Sequence, residues 1–293
     1  MTLQFTQRNQ TAPTHTEAMN QTDGTTLSER VLVIAGSDPS GGAGIDVDRS
    51  AAEELFGRVE CVATAFTDQT SSAVSSVGAR NAAIWADEVR SIWKEAGGFA
   101  VVKFGLLPGA DHVRAAGRLI AEWRAEREVS VIVDPVIESS SGFEFLNEEG
   151  CRAILRELLP RGIILTPNLP ELAKLTGQDL EELVEDLDLR ARAGRDLGDL
   201  GGSTIIVKGG HGGEDPVCDI LLEPGKRASW RTHERIKSEN GPANLRGTGC
   251  RFATALAVGI SAGLDVEASV DQAGRYVASC ISKAIVGRTT SSN

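Results

Sequence analysis

Val31-Leu-Val-Ile-Ala35 runs without a polar break into Gly36-Ser-Asp-Pro-Ser-Gly-Gly-Ala-Gly44, and a helical pattern follows over 45–56. A short aliphatic run without alternation reads as a strand buried on both faces, the kind that parallel sheets use. A glycine-rich turn directly behind it, opening a helix, is the first half of a βαβ unit. The turn is not a Walker A loop, because no Gly-Lys-Ser/Thr follows, and its glycine spacing differs from the dinucleotide fingerprint. Taken alone it is a tight turn followed by two acids, Asp46 and Asp48, that suit the start of a helix.

The same alternation continues outward along the chain. Strand-like runs fall at 59–66, 100–104, 129–133, 162–165 and 203–207, with helical patterns at 86–96, 110–127, 148–159 and 180–200. Two further strands are expected at 219–222 and 228–232, and two closing helices at 250–262 and 266–285. This order predicts an α/β fold of right-handed units, with helices on both faces of a mainly parallel sheet. There is no internal repeat and no linker, so one domain is expected over 31–286. Residues 1–30 are rich in Thr, Gln and Asn without an apolar period and read as a disordered extension, as do 287–293 at the other end. The chain is 41% apolar but only 4% aromatic, so the core must be aliphatic and rich in alanine.

Thirty basic against 41 acidic residues leave a formal charge of −11. Such a chain does not draw nucleic acid or an anionic membrane by its overall field, and an anionic ligand needs a local positive site. The five cysteines are widely spaced and form no CxxC pair. That speaks for a reducing, cytoplasmic setting and against a disulfide framework or zinc. No stretch reaches transmembrane length, and the N-terminus lacks the pattern of a signal peptide. The expected partner is a small molecule.

In open α/β sheets ligands sit outside the carboxyl ends of the strands, and there the polar and glycine-rich segments recur. Arg246-Gly-Thr-Gly-Cys250 opens a helix of small residues, whose free amides and positive end suit a phosphate. Cys250 then falls near the first turn, where a thiol pKa is lowered, and a thiolate there accepts the proton of a substrate hydroxyl. The motif alone reads equally as a glycine-rich helix start with a small buried cysteine. Asp134-Pro-Val136 and Thr166-Pro-Asn-Leu-Pro-Glu171 place acids at adjacent strand ends, suited to hydrated Mg2+ against ATP oxygens or to plain turn and capping chemistry. Lys208-Gly-Gly-His211 offers a lysine to nucleotide phosphates or a surface turn charge, and Asp219 reads as a paired structural acid. Jointly, in this order, the segments favour a site.

Together these stretches, with Thr64-Ala-Phe-Thr-Asp-Gln69 and Lys103-Phe-Gly-Leu-Leu107, resemble the hydroxymethylpyrimidine/phosphomethylpyrimidine kinases of thiamine biosynthesis, within the ribokinase superfamily. The resemblance spans about residues 31 to 286. It implies a ribokinase-like three-layer α/β/α fold, ATP and Mg2+ as cofactors, and a homodimer. It also implies Cys250 as the base, with Gly247 and Gly249 forming the anion hole. Gln69, Gly36, Asp48, Leu106 and Val136 match the substrate side, and Lys208, Thr248, Asn168 and Arg246 the nucleotide side. Asp134 and Glu171 match the acids near magnesium. The chain departs from the family pattern at Arg246, where histidine is usual, in Asn240-Gly-Pro-Ala-Asn-Leu245, and at Leu106, where methionine is usual. Relatives with a Gly-Thr-Gly-Cys site that accept B6 vitamers leave a pyridoxine/pyridoxal kinase as the alternative, and a pyrimidine-sensing pseudokinase as the non-enzymatic one.

Overall fold

The protein is described here by a computed structural model that covers residues 30–69, 74–139, 141–237 and 245–290. The elements run β1 (Arg30–Ser37), α1 (Gly44–Glu54), β2 (Arg58–Gln69), β3 (Val74–Ala79), α2 (Ala82–Ala96), β4 (Val101–Phe104) and α3 (Ala110–Glu126). They continue with β5 (Ser130–Val133), α4 (Glu148–Ala153), β6 (Ile164–Leu165), α5 (Leu169–Thr176), α6 (Leu180–Glu185) and α7 (Leu187–Asp199). The last are β7 (Thr204–Val207), β8 (Val217–Leu222), β9 (Ser229–His233), α8 (Thr248–Ser261) and α9 (Val266–Thr290). These strands form one sheet in the order β3-β2-β1-β4-β5-β6-β7-β8-β9. From β2 across to β7 every pairing is parallel, while β3, β8 and β9 are antiparallel.

The sheet separates two apolar layers, so the fold is the three-layer α/β/α arrangement expected. Leu32 and Ile34 of β1 face a core closed by α2, α3, α5 and α7, whereas Val31, Val33 and Ala35 face α1, α8 and α9. This is the period of two that a strand imposes. In β4 the same alternation sends Val102 and Phe104 to the first core and Val101 to the second. Lys103 therefore points into the α1/α8 layer, where nothing but a partner makes a charge tolerable. Its Nζ lies 3.0 Å from each carboxylate oxygen of Asp48 on α1. Thr254 of α8 donates its hydroxyl to Asp48 at 2.8 Å. The lysine and aspartate side chains are completely buried.

Several boundaries differ from the sequence reading, for local reasons. The single helix expected over 180–200 is two, because Asp186 leaves the helical region and its side chain accepts the Leu189 amide at 2.9 Å, capping α7. The helix expected over 148–159 keeps α-geometry only to Ala153, then runs through a π turn and a 3-10 turn that contains Pro160. Proline has no amide hydrogen to continue the ladder. The strand β3 was not expected, and its Val74-Ser-Ser-Val-Gly-Ala79 has no buried face that alternation would reveal. The segment read as a helix start at Asn168 is a full helix, α5, with a capping box between Asn168 and Glu171. Arg30, assigned to the extension, pairs with Arg58 as the first residue of β1. α9 reaches Thr290, past the helix end expected at 285 and the domain end expected at 286. The remainder of the two terminal stretches, 1–29 and 291–293, lies outside the described residues.

Removing Lys103 alone strands the Asp48 carboxylate in the core. Lys103→Met should cost about 3–5 kcal/mol in urea-induced unfolding, the range for breaking a buried pair from one side. The double variant Lys103→Met/Asp48→Asn should recover most of that loss. A single variant as stable as the parent would show that the pair carries no such constraint.

Candidate active site

A cavity of about 380 Å3 opens at the carboxyl ends of the parallel strands. Strand order reverses at β1, with β2 on one side and β4 on the other, which is where such sheets accept ligands. Gly36 and Asp38 line the cavity from the β1–α1 loop, Leu106 from behind β4, and Asp134 and Val136 from behind β5. Asn168 and Glu171 enter from the head of α5, Lys208 from behind β7, and residues 245–250 from the approach to α8.

The start of α8 sits in the middle of this ring. Gly247 has a left-handed backbone (φ 70°), and a Cβ there would stand 2.7 Å from the Gly42 carbonyl oxygen. A Cβ at Gly249 would stand 3.2 Å from Asp134 Oδ2 and 3.3 Å from Lys208 Nζ. Glycine is required at 247 by its backbone and by the Gly42 carbonyl, and at 249 it leaves the Asp134 and Lys208 side chains room beside the first turn. Among the described residues no side chain caps this terminus, so its leading amides and positive dipole end suit an anion in the cavity.

On the far side of that turn two acids share one ammonium. Lys208 Nζ is 2.8 Å from Asp134 Oδ1 and 3.9 Å from Glu171 Oε2. Burial works against the Lys208 charge, yet Asp134 and Glu171 hold its pKa above the ordinary lysine range. Burial pushes the Glu171 carboxyl up to about 8, with Lys208 pulling it down and Asp134 pushing it further up. One cation is thus too little for two carboxylates. A hard divalent ion suits that deficit. Among the described residues no cluster of three or more His, Cys, Asp or Glu side chains forms a complete metal site, so water and phosphate oxygens would complete the shell, as Mg2+ prefers.

Cys250 lines the cavity from the first turn of α8. The expected lowering of its pKa is not found. Burial pushes the thiol up to about 11; Lys103 draws it down, while Asp48 and Asp134 push it up. A helix terminus contributes about 0.3–1 kcal/mol at an exposed position, which is smaller than the desolvation it has to offset here.

The cavity gathers the expected Gly36, Leu106, Val136, Asn168, Asp134, Glu171, Lys208, Arg246, Gly247, Thr248, Gly249 and Cys250. Asp48 is not among its lining residues; it lies buried behind the wall, paired with Lys103. Gln69 ends β2 opposite Val74, and its side chain lies outside the described residues, as do 238–244 before α8. Asp219 is paired as read: it accepts the Gly209 amide at 2.7 Å and lies 3.3 Å from His233 Nε2. Three contributors went unread. Asp38 is 2% exposed and faces Arg246, Lys174 reaches the cavity beside Glu138, and Lys103 lies under the site. Lys103 carried a usable signal, since a lysine between Val102 and Phe104 in an apolar strand demands a buried partner.

The family model described as phosphomethylpyrimidine kinase matches residues 38–291. The hydroxymethylpyrimidine/phosphomethylpyrimidine kinase of Bacillus subtilis strain 168 is 33% identical over 85% of this chain and 87% of that protein. The thiamine biosynthesis bifunctional protein ThiED of Geobacter sulfurreducens is 32% identical over 86% of this chain, which spans about half (49%) of that longer protein. Among solved structures, the pyridoxal kinase of Staphylococcus aureus in complex with ADP superposes with a TM-score of 0.73 at 27% identity, over 86% of this chain and 88% of that one.

A thiol held near 11 reacts slowly at neutral pH in the ligand-free enzyme. Its alkylation by iodoacetamide, followed on the Cys250 peptide by mass spectrometry, should climb with pH and show no plateau below about pH 9, the thiolate being the nucleophile. A plateau near pH 7 would mean that the helix terminus prevails over burial.

Proposed function

The chain belongs to the phosphomethylpyrimidine kinase family, and we propose that its cavity is a two-step phosphotransfer site of thiamine biosynthesis. The terminal phosphoryl group of ATP passes first to the hydroxymethyl oxygen of hydroxymethylpyrimidine and then to the monophosphate so formed. The observation that carries this reading is the Gly247-Thr-Gly-Cys250 turn, which closes onto the Asp134–Lys208 pair at the carboxyl ends of β5 and β7. It divides the cavity into a half with two acids and a lysine, suited to nucleotide phosphates, and a half with Gly36, Leu106 and Val136, suited to a flat heteroaromatic ring.

Phosphoryl transfer asks the protein mostly to position the reactants and to neutralise charge. In our reading the amides of the α8 turn hold the transferring group and Lys208 meets the nucleotide phosphates. Asp134 and Glu171 would hold Mg2+, which supplies further charge neutralisation when bound. In the first transfer the acceptor hydroxyl oxygen bonds to the γ-phosphorus as the bond to ADP breaks, and Cys250 takes the hydroxyl proton. Lys103 behind it is the nearby charge that favours the thiolate. A homodimer in the cytoplasm belongs to the same reading, and sedimentation of the purified chain tests the first part.

Likeness to a pyridoxal kinase keeps a B6 vitamer as the second reading of the acceptor. Gln69 separates the two. An aminopyrimidine edge presents a ring nitrogen beside an N–H donor, which a carboxamide complements through two hydrogen bonds, and pyridoxine lacks the amine. Gln69→Leu should therefore cut kcat/KM for hydroxymethylpyrimidine at least about ten-fold, as one or two buried hydrogen bonds require, and harm pyridoxine turnover much less. Equal losses would remove Gln69 from recognition.

The base is tested by comparing the two acceptors. Cys250→Ala should lower kcat for the alcohol by about 10²–10⁴-fold, the usual worth of a general base. The monophosphate is largely a dianion at neutral pH, its second pKa being about 6, and has no proton to surrender. Its turnover should fall by much less in the same variant. Equal losses for both acceptors would sink the assignment of Cys250 as base.

A further inference from the structure

Three long basic side chains line the cavity among the described residues: Lys174, Lys208 and Arg246. Lys208 stands among Asp134 and Glu171, and Lys174, on α5, reaches Glu138. Lys208 belongs to the half assigned to the nucleotide, and Lys174 stands on the same helix as Glu171, an acid of that half. Arg246 faces the other way. Its guanidinium donates to Asp38 Oδ2 and to Ser40 Oγ, each at 3.3 Å. A Cβ on Gly42 would lie 3.2 Å from the same group. Asp38, Ser40 and Gly42 belong to the β1–α1 loop that also carries Gly36. The Arg246 carbonyl accepts from Arg251 Nη1 at 2.7 Å, which fixes the residue at the mouth of α8. The start of α8 thus stands between this guanidinium and Lys208. The sequence places Arg246 among the nucleotide residues, whereas its guanidinium bonds to Asp38 and Ser40 lie with the β1–α1 loop.

A cation on the acceptor side does nothing for an uncharged alcohol. The acceptor of the second transfer is different, because it carries a phosphomonoester. We infer that Arg246 is the acceptor-phosphate subsite, a guanidinium held by Asp38 beside the pyrimidine half of the cavity, which receives the phosphate of the monophosphate substrate. The inference rests on the function proposed above and deepens it. Asp38 balances the arginine while the neutral first substrate is bound. The 3.3 Å bond to Asp38 is long for a charged pair, and a phosphate offers the fork a shorter one in its place. In the step itself a terminal oxygen of the acceptor phosphate forms the new bond to the γ-phosphorus. The bond from that phosphorus to the ADP oxygen breaks, and its electron pair leaves with ADP. The acceptor dianion loses no proton, so charge and atoms balance without a base.

The test uses the full chain with saturating ATP, and the alcohol and its monophosphate as separate acceptors, with product masses recorded. Arg246→Ala should reduce kcat/KM for the monophosphate by about ten- to hundred-fold, the worth of hydrogen bonds to a charged group. The loss for the alcohol should be at least five-fold smaller. Arg246→Lys, a point charge without the fork, should fall between. Equal losses for both acceptors, or a raised KM for ATP with both, would return Arg246 to the nucleotide and overturn the inference. Should Arg246→Ala fail to fold, Asp38→Asn decides. It removes the competing carboxylate and keeps an acceptor for Ser40, so it should lower the KM for the monophosphate several-fold, an effect that damage to the fold does not produce. An unchanged or higher KM would overturn the inference. A parent enzyme that phosphorylates the alcohol and not the monophosphate overturns the subsite alone. One inert towards both overturns the proposed function, and the subsite with it.

Discussion

A single buried ion pair fixes where the chemistry of this fold stands. Lys103 leaves β4 on the face of α1 and α8, and Asp48 answers it from α1 at 3.0 Å. Thr254 of α8 donates to the same carboxylate. Three elements that are far apart in sequence meet at one carboxyl group. Taking two charges out of water costs several kcal/mol per ion, and an apolar replacement of similar volume is often as stable or more so. Stability is therefore a weak reason for the pair, and position is a better one. Thr254 lies one helical turn beyond Cys250, and residues four apart share a helix face. Anchoring Thr254 sets the rotation of α8 about its axis, and with it the place of the Gly247–Cys250 turn over Asp134 and Lys208. The same lysine is the largest influence drawing the Cys250 thiol down against the effect of burial.

How much of this was legible in the sequence depended on the range of each interaction. The parallel strands were readable because burial on both faces leaves unbroken aliphatic runs such as Val31-Leu-Val-Ile-Ala35. The turn at Gly247–Cys250 was readable because its glycines answer local constraints, a positive φ and a close approach. β3 was not readable, since a strand with no fully buried residue carries no clear period. The break at Asp186 was hidden by the good helical composition on both sides, against which one capping carboxylate is a small local signal. At the site, residue identities were legible and their partners were not. Asp48 looked like a pocket residue until Lys103 claimed it from another strand. Arg246 sat next to the phosphate turn in sequence, while Ser40 and Asp38, which its guanidinium meets, lie 206 and 208 positions away. The sign of the Cys250 shift failed for the same reason. The helix terminus is local and visible, whereas the burial that outweighs it is made by the whole layer.

The pairing of charges in the cavity explains how a chain with a net charge of −11 can hold polyanions. Lys208 meets Asp134, Lys174 meets Glu138 and Arg246 meets Asp38. Bare cations clustered in a partly buried pocket would repel one another and lose solvation without return. Paired, they are electrically quiet in the empty enzyme and already oriented, so little reorganisation is left for the moment a phosphate arrives. The same carboxylates set a limit. A phosphate that takes a lysine or arginine leaves its former partner uncompensated, and around Lys208 two acids are left, one of them already pushed up to about 8. Either that acid carries its proton or another cation enters with the nucleotide. Asp38 accepts the Ser40 amide at 2.9 Å and hydroxyl at 2.6 Å, bonds that do not depend on its arginine. In the proposed reading a cation arriving with the nucleotide would balance the two acids around Lys208, and Asp38 would exchange its arginine for the Ser40 bonds it already holds.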